Sequence, residues 1–301
     1  MAADKADALK PRRRIEDYGV IGNLHTVALI ARDGSLEWFC PGRFDAPACF
    51  AALLGDARHG YWYLGPSVGQ DIQIEREYLP DTLLLKTTFT SSGGVVEVVD
   101  FMPVQWDCHL IRQVRCVKGE MLMSMSCAPR FEYGRDGAEV VVDSHQAMLR
   151  GTDLWLRLTA TLPLAGADDA VACEFVLKKG DSHTFVLTHG APQQAFPPVP
   201  EVNSARDQCA DWWREWVSQC TYRGPWEEAV RRSLIILKSL IYAPTGALVA
   251  AATTSLPEVP GGTANWDYRY TWPRDSALFW FAPASTARTP WPHRASSRRR
   301  R

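Results

Sequence analysis

No Cys-x-x-Cys pair occurs in the 301 residues, and none of the eight cysteines (Cys40, Cys49, Cys108, Cys116, Cys127, Cys173, Cys209, Cys220) stands at zinc-ligand spacing from the seven histidines. A thiol-based metal centre and a thioredoxin-type redox motif are excluded, and reduced structural thiols are expected. The sequence also lacks a phosphate-cradling glycine loop, a dinucleotide fingerprint and a Ser/His/Asp signature, so no cofactor is expected. No segment approaches the roughly 18 uninterrupted apolar residues of a membrane span. The N-terminus, MAADKADALKPRRR, has charges but no apolar stretch behind them. These absences predict a cytoplasmic protein that makes no use of a membrane. Residues 282–301 lack any acid and hold six arginines, which hides the charge of the rest: 27 Lys+Arg remain against 34 Asp+Glu. An acidic body argues against nucleic acid as a partner, because phosphate binding needs a basic surface.

What is present is globular: 46% of residues are hydrophobic and 22% charged, enough to bury a large core. From about Tyr18 to Thr188 short strands alternate with turn signals. Thr82–Thr90, then Ser91-Ser92-Gly93-Gly94, then Val95–Phe101 reads as a hairpin. Leu154–Leu158 and Phe185–Leu187 alternate at period two, and no stretch in this half sustains a 3.6-residue period. The pattern predicts an antiparallel β-sandwich over residues 15–200, after an extension of residues 1–14.

After Pro200 the character changes. Ser204–Cys220 fits an amphipathic helix with Ser204 as N-cap and a seam through Cys209, Trp212, Trp213 and Trp216. Pro225 opens a second helix, with Glu227 and Glu228 in its first turn and Trp226, Val230, Leu234, Leu237 and Ile241 at helical spacing. Pro244 and Gly246 stop it. A Thr/Pro/Gly-rich loop, Thr253–Asn265, leads to a third helical pattern near Arg274, where Ala277, Leu278 and Phe281 begin a face that Pro283 interrupts. The region 201–281 is expected to be one helical unit. The aperiodic, arginine-rich residues 282–301 read as a disordered basic tail, and an artificial end or shifted frame explains them better than a binding arm.

The densest chemistry lies in Asn265-Trp266-Asp267-Tyr268-Arg269-Tyr270-Thr271-Trp272-Pro273-Arg274-Asp275. Four aromatics and four charges at a helix start combine flat apolar faces with ionic hydrogen-bonding groups, and a pyranose needs both. The competing explanation is packing for the aromatics and helix-dipole stabilisation for Asp275. Arg269 is assigned to the surface. His183 and His189 read as ordinary histidines, and no metal site is expected. Arg43-Phe44-Asp45 reads as a structural turn, with contact to the helical region as the alternative.

The run Ile15–Leu54 (IEDYGVIGNLHTVALIARDGSLEWFCPGRFDAPACFAALL) resembles the opening of the trehalase-like N-terminal domain of bacterial family-15 glycoside hydrolases, the glucoamylase and trehalase group. Tyr78–Pro103, Ala128–Gly134 and Thr221–Asp275 (TYRGPWEEAV through NWDYRYTWPRD) continue the resemblance in the same order, so that it covers about residues 15–281. It implies a β-sandwich followed by the first helices of an (α/α)6 barrel, and inverting hydrolysis of an α-glucosidic bond in an α-glucan, a malto-oligosaccharide or trehalose. Carried over by position, Arg274 and Asp275 would hold hydroxyls of the terminal glucose, while Trp272 and Tyr268 would wall the pocket. Both family glutamates lie beyond this segment, so no catalytic residue is assigned in the chain. Glu258, the nearest loop carboxylate, receives no role. An incomplete barrel would leave the apolar faces around Trp212, Trp213, Trp216 and Leu234 uncovered and prone to self-association. The alternative function is a non-catalytic carbohydrate-binding or interaction module built on the sandwich.

Overall fold

The computed structural model describes residues 13–104, 108–167, 169–254, 259 and 262–277. Fourteen antiparallel strands form its body. The first sheet contains β1 (Tyr18–Gly22), β2 (Val27–Ala31), β3 (Ser35–Phe39), β4 (Tyr61–Pro66), β12 (Ala165–Ala167) and β13 (Ala170–Lys178). The second contains β5 (Gln73–Tyr78), β6 (Leu85–Thr90), β7 (Gly94–Phe101), β9 (Glu139–Asp143), β10 (Gln146–Arg150), β11 (Trp155–Ala160) and β14 (Ser182–Gly190).

One 20-residue strand, β8 (His109–Ala128), belongs to both sheets. Its first half pairs with β7 and β14, and its second half pairs with β4 and β13. A strand that changes sheets makes a corner of a sandwich. The change falls at exposed residues 117–120, where Gly119 has φ +64° and a Cβ would collide with the carbonyl of Gly93. Glycine is required there by both conformation and space.

The predicted hairpin is present, with β6 starting at Leu85 instead of Thr82. Between the sheets lies the main core, with Met123 and Met125 of β8 facing Phe89, Val98 and Leu158 from the opposite layer. The second sheet is apolar on its outer face too: Phe101, Ile111 and Val186 point away from Leu110, Leu187 and the rest of the main core. Phe185-Val186-Leu187 of β14, read as alternating, is therefore apolar toward both faces, and the valines of β7 come in pairs (Val95-Val96 and Val98-Val99) where alternation alone predicts one polar face.

That outer face is covered by α1 (Val202–Val217) and α2 (Glu227–Ser239). Helix α1 starts two residues before the predicted Ser204, because the longer Glu201 side chain accepts from Asn203 N (3.0 Å) and Ser204 N (2.7 Å) and caps the helix itself. Helix α2 keeps the predicted acidic first turn, but Trp226 sits at its N-cap, 69% exposed, outside the apolar seam. Arg231 pairs with Asp81 (Nε to Oδ1, 2.8 Å), and Arg232 lies 4.1 Å from the Tyr78 ring centroid, fastening α2 to the β5–β6 turn. Trp213, Trp216 and Leu234 are thus buried against the sandwich, which removes the uncovered face on which self-association was expected. After α2 a short hairpin, β15 (Ile241–Tyr242) with β16 (Ala247–Leu248), replaces the simple stop, and Gly246 takes φ +76° in its turn. Among the described residues no helix is long and apolar enough to cross a membrane.

One fully buried ion pair ties the layers together. Arg112 of β8 donates to Asp100 of β7 (2.8 Å), to Trp62 O of β4 (2.7 Å) and to Gly34 O (2.7 Å). Burial raises the Asp100 pKa, and the Arg112 guanidinium opposes that rise.

Candidate carbohydrate-facing segment

The aromatic and ionic segment lies at the C-terminal end of β3, against the loop that follows it. Ala250 N donates to Tyr270 O (3.1 Å) and Ala251 N to Tyr268 O (2.8 Å), so the chain after β16 and the segment form a short backbone ladder. Trp38 of β3 donates from Nε1 to Ala252 O (2.9 Å), holding that ladder on the sandwich.

Arg269 makes the strongest attachment, and its assignment to the surface is corrected: only 6% of it is exposed. Its guanidinium grips Asp267 (2.8 and 3.0 Å), donates to Ala46 O (2.8 Å) and Phe44 O (3.4 Å), and lies over Tyr133 at 5.6 Å. The backbone carbonyls of the loop after β3 have fixed directions, and a planar fork matches several of them at once. Burial acts to raise the Asp267 pKa, but the hydrogen bonds from Arg269 outweigh it and the carboxyl lies below its ordinary value. Burial pushes the neighbouring Cys40 thiol up to about 12, so it stays protonated and unreactive.

The same loop makes Arg43-Phe44-Asp45 more than a turn. Arg43 pairs with Asp45 (2.9 Å) and lies over Tyr242, while Phe44 is buried against Val27, Tyr242 and Val249. The tripeptide therefore contacts the β15–β16 hairpin and Val249 after it.

The four residues expected to face sugar fall into two pairs. Tyr268 and Trp272 stack at 5.2 Å and 18°, both half-buried. Arg274 and Asp275 form an ion pair at 3.4 Å, with 78% of the Arg274 side chain exposed. Residues 273–277 are helical, and Ser276 N donates to Trp272 O (2.9 Å). Pro273 thus takes the first helical position, where its missing N–H costs nothing, and Asp275 sits in the positive first turn. A carboxylate and a guanidinium next to a stacked aromatic pair can accept from and donate to sugar hydroxyls. Glu258, Leu278, Phe281 and the 282–301 tail lie outside the described residues.

His183 hydrogen-bonds Thr161 (3.3 Å) and meets Phe175 edge-on at 5.6 Å. Among the described residues no group of three or more His, Cys, Asp or Glu could hold a metal ion.

An antiparallel β-sandwich with helices on one outer face and an aromatic, ionic segment held against the loop after β3 defines the class by architecture. A solved structure named "Putative kojibiose phosphorylase from human microbiome" shares the fold, at a TM-score of 0.50 and 8% identity over 77% of this chain and 40% of that one. Residues 10–163 match the trehalase-like N-terminal family, and residues 224–288 match glycosyl hydrolases family 15. The chain belongs to the family-15 glycoside hydrolases, in the trehalase group. A trehalase of Mycobacterium tuberculosis is 35% identical over 92% of this chain and 45% of its own length. A trehalase of Mycolicibacterium smegmatis is 35% identical over 88% and 43%, and one from Thermoplasma volcanium 31% over 88% and 43%. The chain thus spans less than half the length of these curated relatives.

Proposed function

We propose that this chain is the sandwich and sugar-facing edge of an α-glucoside hydrolase that acts on trehalose. The observation that carries the reading is the Tyr268–Trp272 stack beside the Arg274–Asp275 pair, on a segment that Arg269 anchors to the sandwich. In this reading α1, α2 and the helical start at Pro273 are the first members of an (α/α)6 barrel, and the domain division falls near residue 200. Tyr268 and Trp272 wall the pocket, and Arg274 and Asp275 orient the terminal glucose. The similarity to trehalases favours trehalose over α-1,4-linked glucans. The eight free cysteines support a reducing, cytoplasmic compartment.

Inverting hydrolysis needs an acid on the leaving oxygen and a base on the attacking water, about 6.5–9.5 Å apart. Asp267 is held by Arg269 and Asp275 by Arg274, so neither is assigned as acid or base. The proposal places both groups outside the described residues.

The test is a chimera in which the M. tuberculosis trehalase supplies the residues that follow its match with this chain. Proton NMR of early trehalose hydrolysis should show α- and β-glucose in equal amounts, because inversion at one anomeric carbon gives β while the leaving sugar stays α. Release of α-glucose alone, or no turnover by a folded chimera, contradicts the reading.

A further inference from the structure

The outer face of the first sheet is hollow. A cavity of about 1230 Å³ opens there, reaching Phe89 of the main core at one end, and the reason is the choice of outward residues. Register places Ser35 opposite Tyr63, Tyr63 opposite Ser126, Gly65 opposite Ser124 and Ser124 opposite Glu174. Short hydroxyl side chains and a glycine thus occupy the centre of a face that a solvated sheet would furnish with long charged residues. On β8 these serines alternate with the buried Met123 and Met125.

The floor is pre-organised. Glu37 is only 8% exposed, and it accepts a hydrogen bond from the Tyr18 hydroxyl and pairs with Arg13 (3.1 Å). Ser67 donates to Glu174 (2.8 Å), and the Tyr61 hydroxyl lies 3.3 Å from Ser126 Oγ. Ile15, Val68 and Leu122 are exposed large apolar residues at the same cavity, supplying hydrocarbon faces. Among the described residues the lining carries the carboxylates of Asp33, Glu37, Asp56 and Glu174 against the guanidinium of Arg13, and with Asp56 paired to Arg58 (2.7 Å) the balance is still negative, which disfavours anions.

We infer that this hollow is a second carbohydrate site, which binds a neutral oligosaccharide on the sandwich itself. Hydroxyls, carboxylates and tyrosine rings in one depression match the hydroxyl rim and C–H faces of sugar rings. The volume exceeds the roughly 300–1,000 Å³ of small-molecule pockets, which favours several rings over one. The acidic lining selects an uncharged chain. Asn265 lines the cavity three residues before Tyr268, so a bound oligosaccharide lies beside the segment that carries the proposed subsite. The inference does not depend on trehalose being the substrate.

Isothermal titration of the 301-residue chain with maltoheptaose tests it. A Kd of about 0.1–1 mM is expected, with glucose 6-phosphate at least tenfold weaker. Ser124→Leu, which fills the hollow, and Tyr61→Ala, which removes a ring from it, should each weaken maltoheptaose at least tenfold, while Lys179→Ala, in the exposed β13–β14 turn outside the lining, binds as the parent does. Absence of maltoheptaose binding overturns the inference. So does undiminished binding in Ser124→Leu and Tyr61→Ala, loss of binding in Lys179→Ala, or preference for the phosphorylated sugar. Thermal melts accompany each variant, and if Ser124→Leu does not fold, Tyr61→Ala decides.

Discussion

Replacing Arg269 by alanine should release the aromatic and ionic segment from the sandwich without unfolding the sandwich. The substitution removes the grip on Asp267 and the donors to Ala46 O and Phe44 O. Breaking a buried charge pair costs about 3–5 kcal/mol. The Asp267 side chain is 33% exposed and regains water, so the expected cost is lower, about 2–3 kcal/mol. That cost falls on local opening of the segment. At about 1.4 kcal/mol per decade, the amides of Ala250 and Ala251, which donate to Tyr270 O and Tyr268 O, should exchange hydrogen roughly 30- to 150-fold faster. Ile111 and Val186, in the core beneath the helices, should change little. Arg269→Lys keeps the charge but not the fork and should fall between. The pH dependence has a fixed sign: Asp267 has a lowered pKa in the folded chain, so its contribution is complete above its ordinary value of 3.8 and is lost as pH falls through the lowered value. Amide exchange by mass spectrometry reads both effects. Unchanged protection at Ala250 and Ala251 in Arg269→Ala would refute the reasoning and return Arg269 to the surface.

Two further substitutions test the interior. Arg112→Met should cost about 3–5 kcal/mol in urea unfolding by leaving Asp100 buried without its partner, and adding Asp100→Leu should recover part of that loss. A single substitution that costs under about 1 kcal/mol would show that the pair does not tie the sheets. Lys238, in the last turn of α2, is 8% exposed and lies over the Trp216 ring, and burial lowers its pKa to about 8. The unfolded chain then binds a proton between about pH 8 and 10.5 that the folded chain does not, so stability rises with pH across that window. Lys238→Met should add about 1–2 kcal/mol at pH 7 and flatten the rise, as read by denaturation at pH 7, 8.5 and 10.

Local chemistry was legible in the sequence, and long-range chemistry was not. The β6–β7 hairpin is written in Ser91–Gly94 and the alternation on both sides, because turn type and register are set within a few residues. The acidic first turn of α2 is equally local. Period-two alternation could not show that the second sheet is covered on both faces, since the cover comes from α1 and α2, far along the chain. Arg269 looked like a surface charge because its partners Phe44 O and Ala46 O lie more than 220 positions earlier. Trp226 matched the helical spacing of its neighbours yet stands at the cap, where a side chain no longer follows the helix face. The stacking of Tyr268 on Trp272 was not legible either: the sequence showed a dense aromatic and ionic run, and which rings meet depends on how the segment folds before its helical start.

The central claim is that Arg274 and Asp275 hold sugar, and kinetics and melting measured on the same chimera preparations test it most directly. Charge-assisted hydrogen bonds are worth roughly 1.5–3 kcal/mol each, so Arg274→Ala and Asp275→Ala should each lower kcat/KM for trehalose about 10- to 150-fold. The melting temperature should stay within about 2 °C of the parent, since both side chains are well exposed. Near-parental kcat/KM with a clear fall in melting temperature would mean that Asp275 serves only the helix start, and would contradict the account.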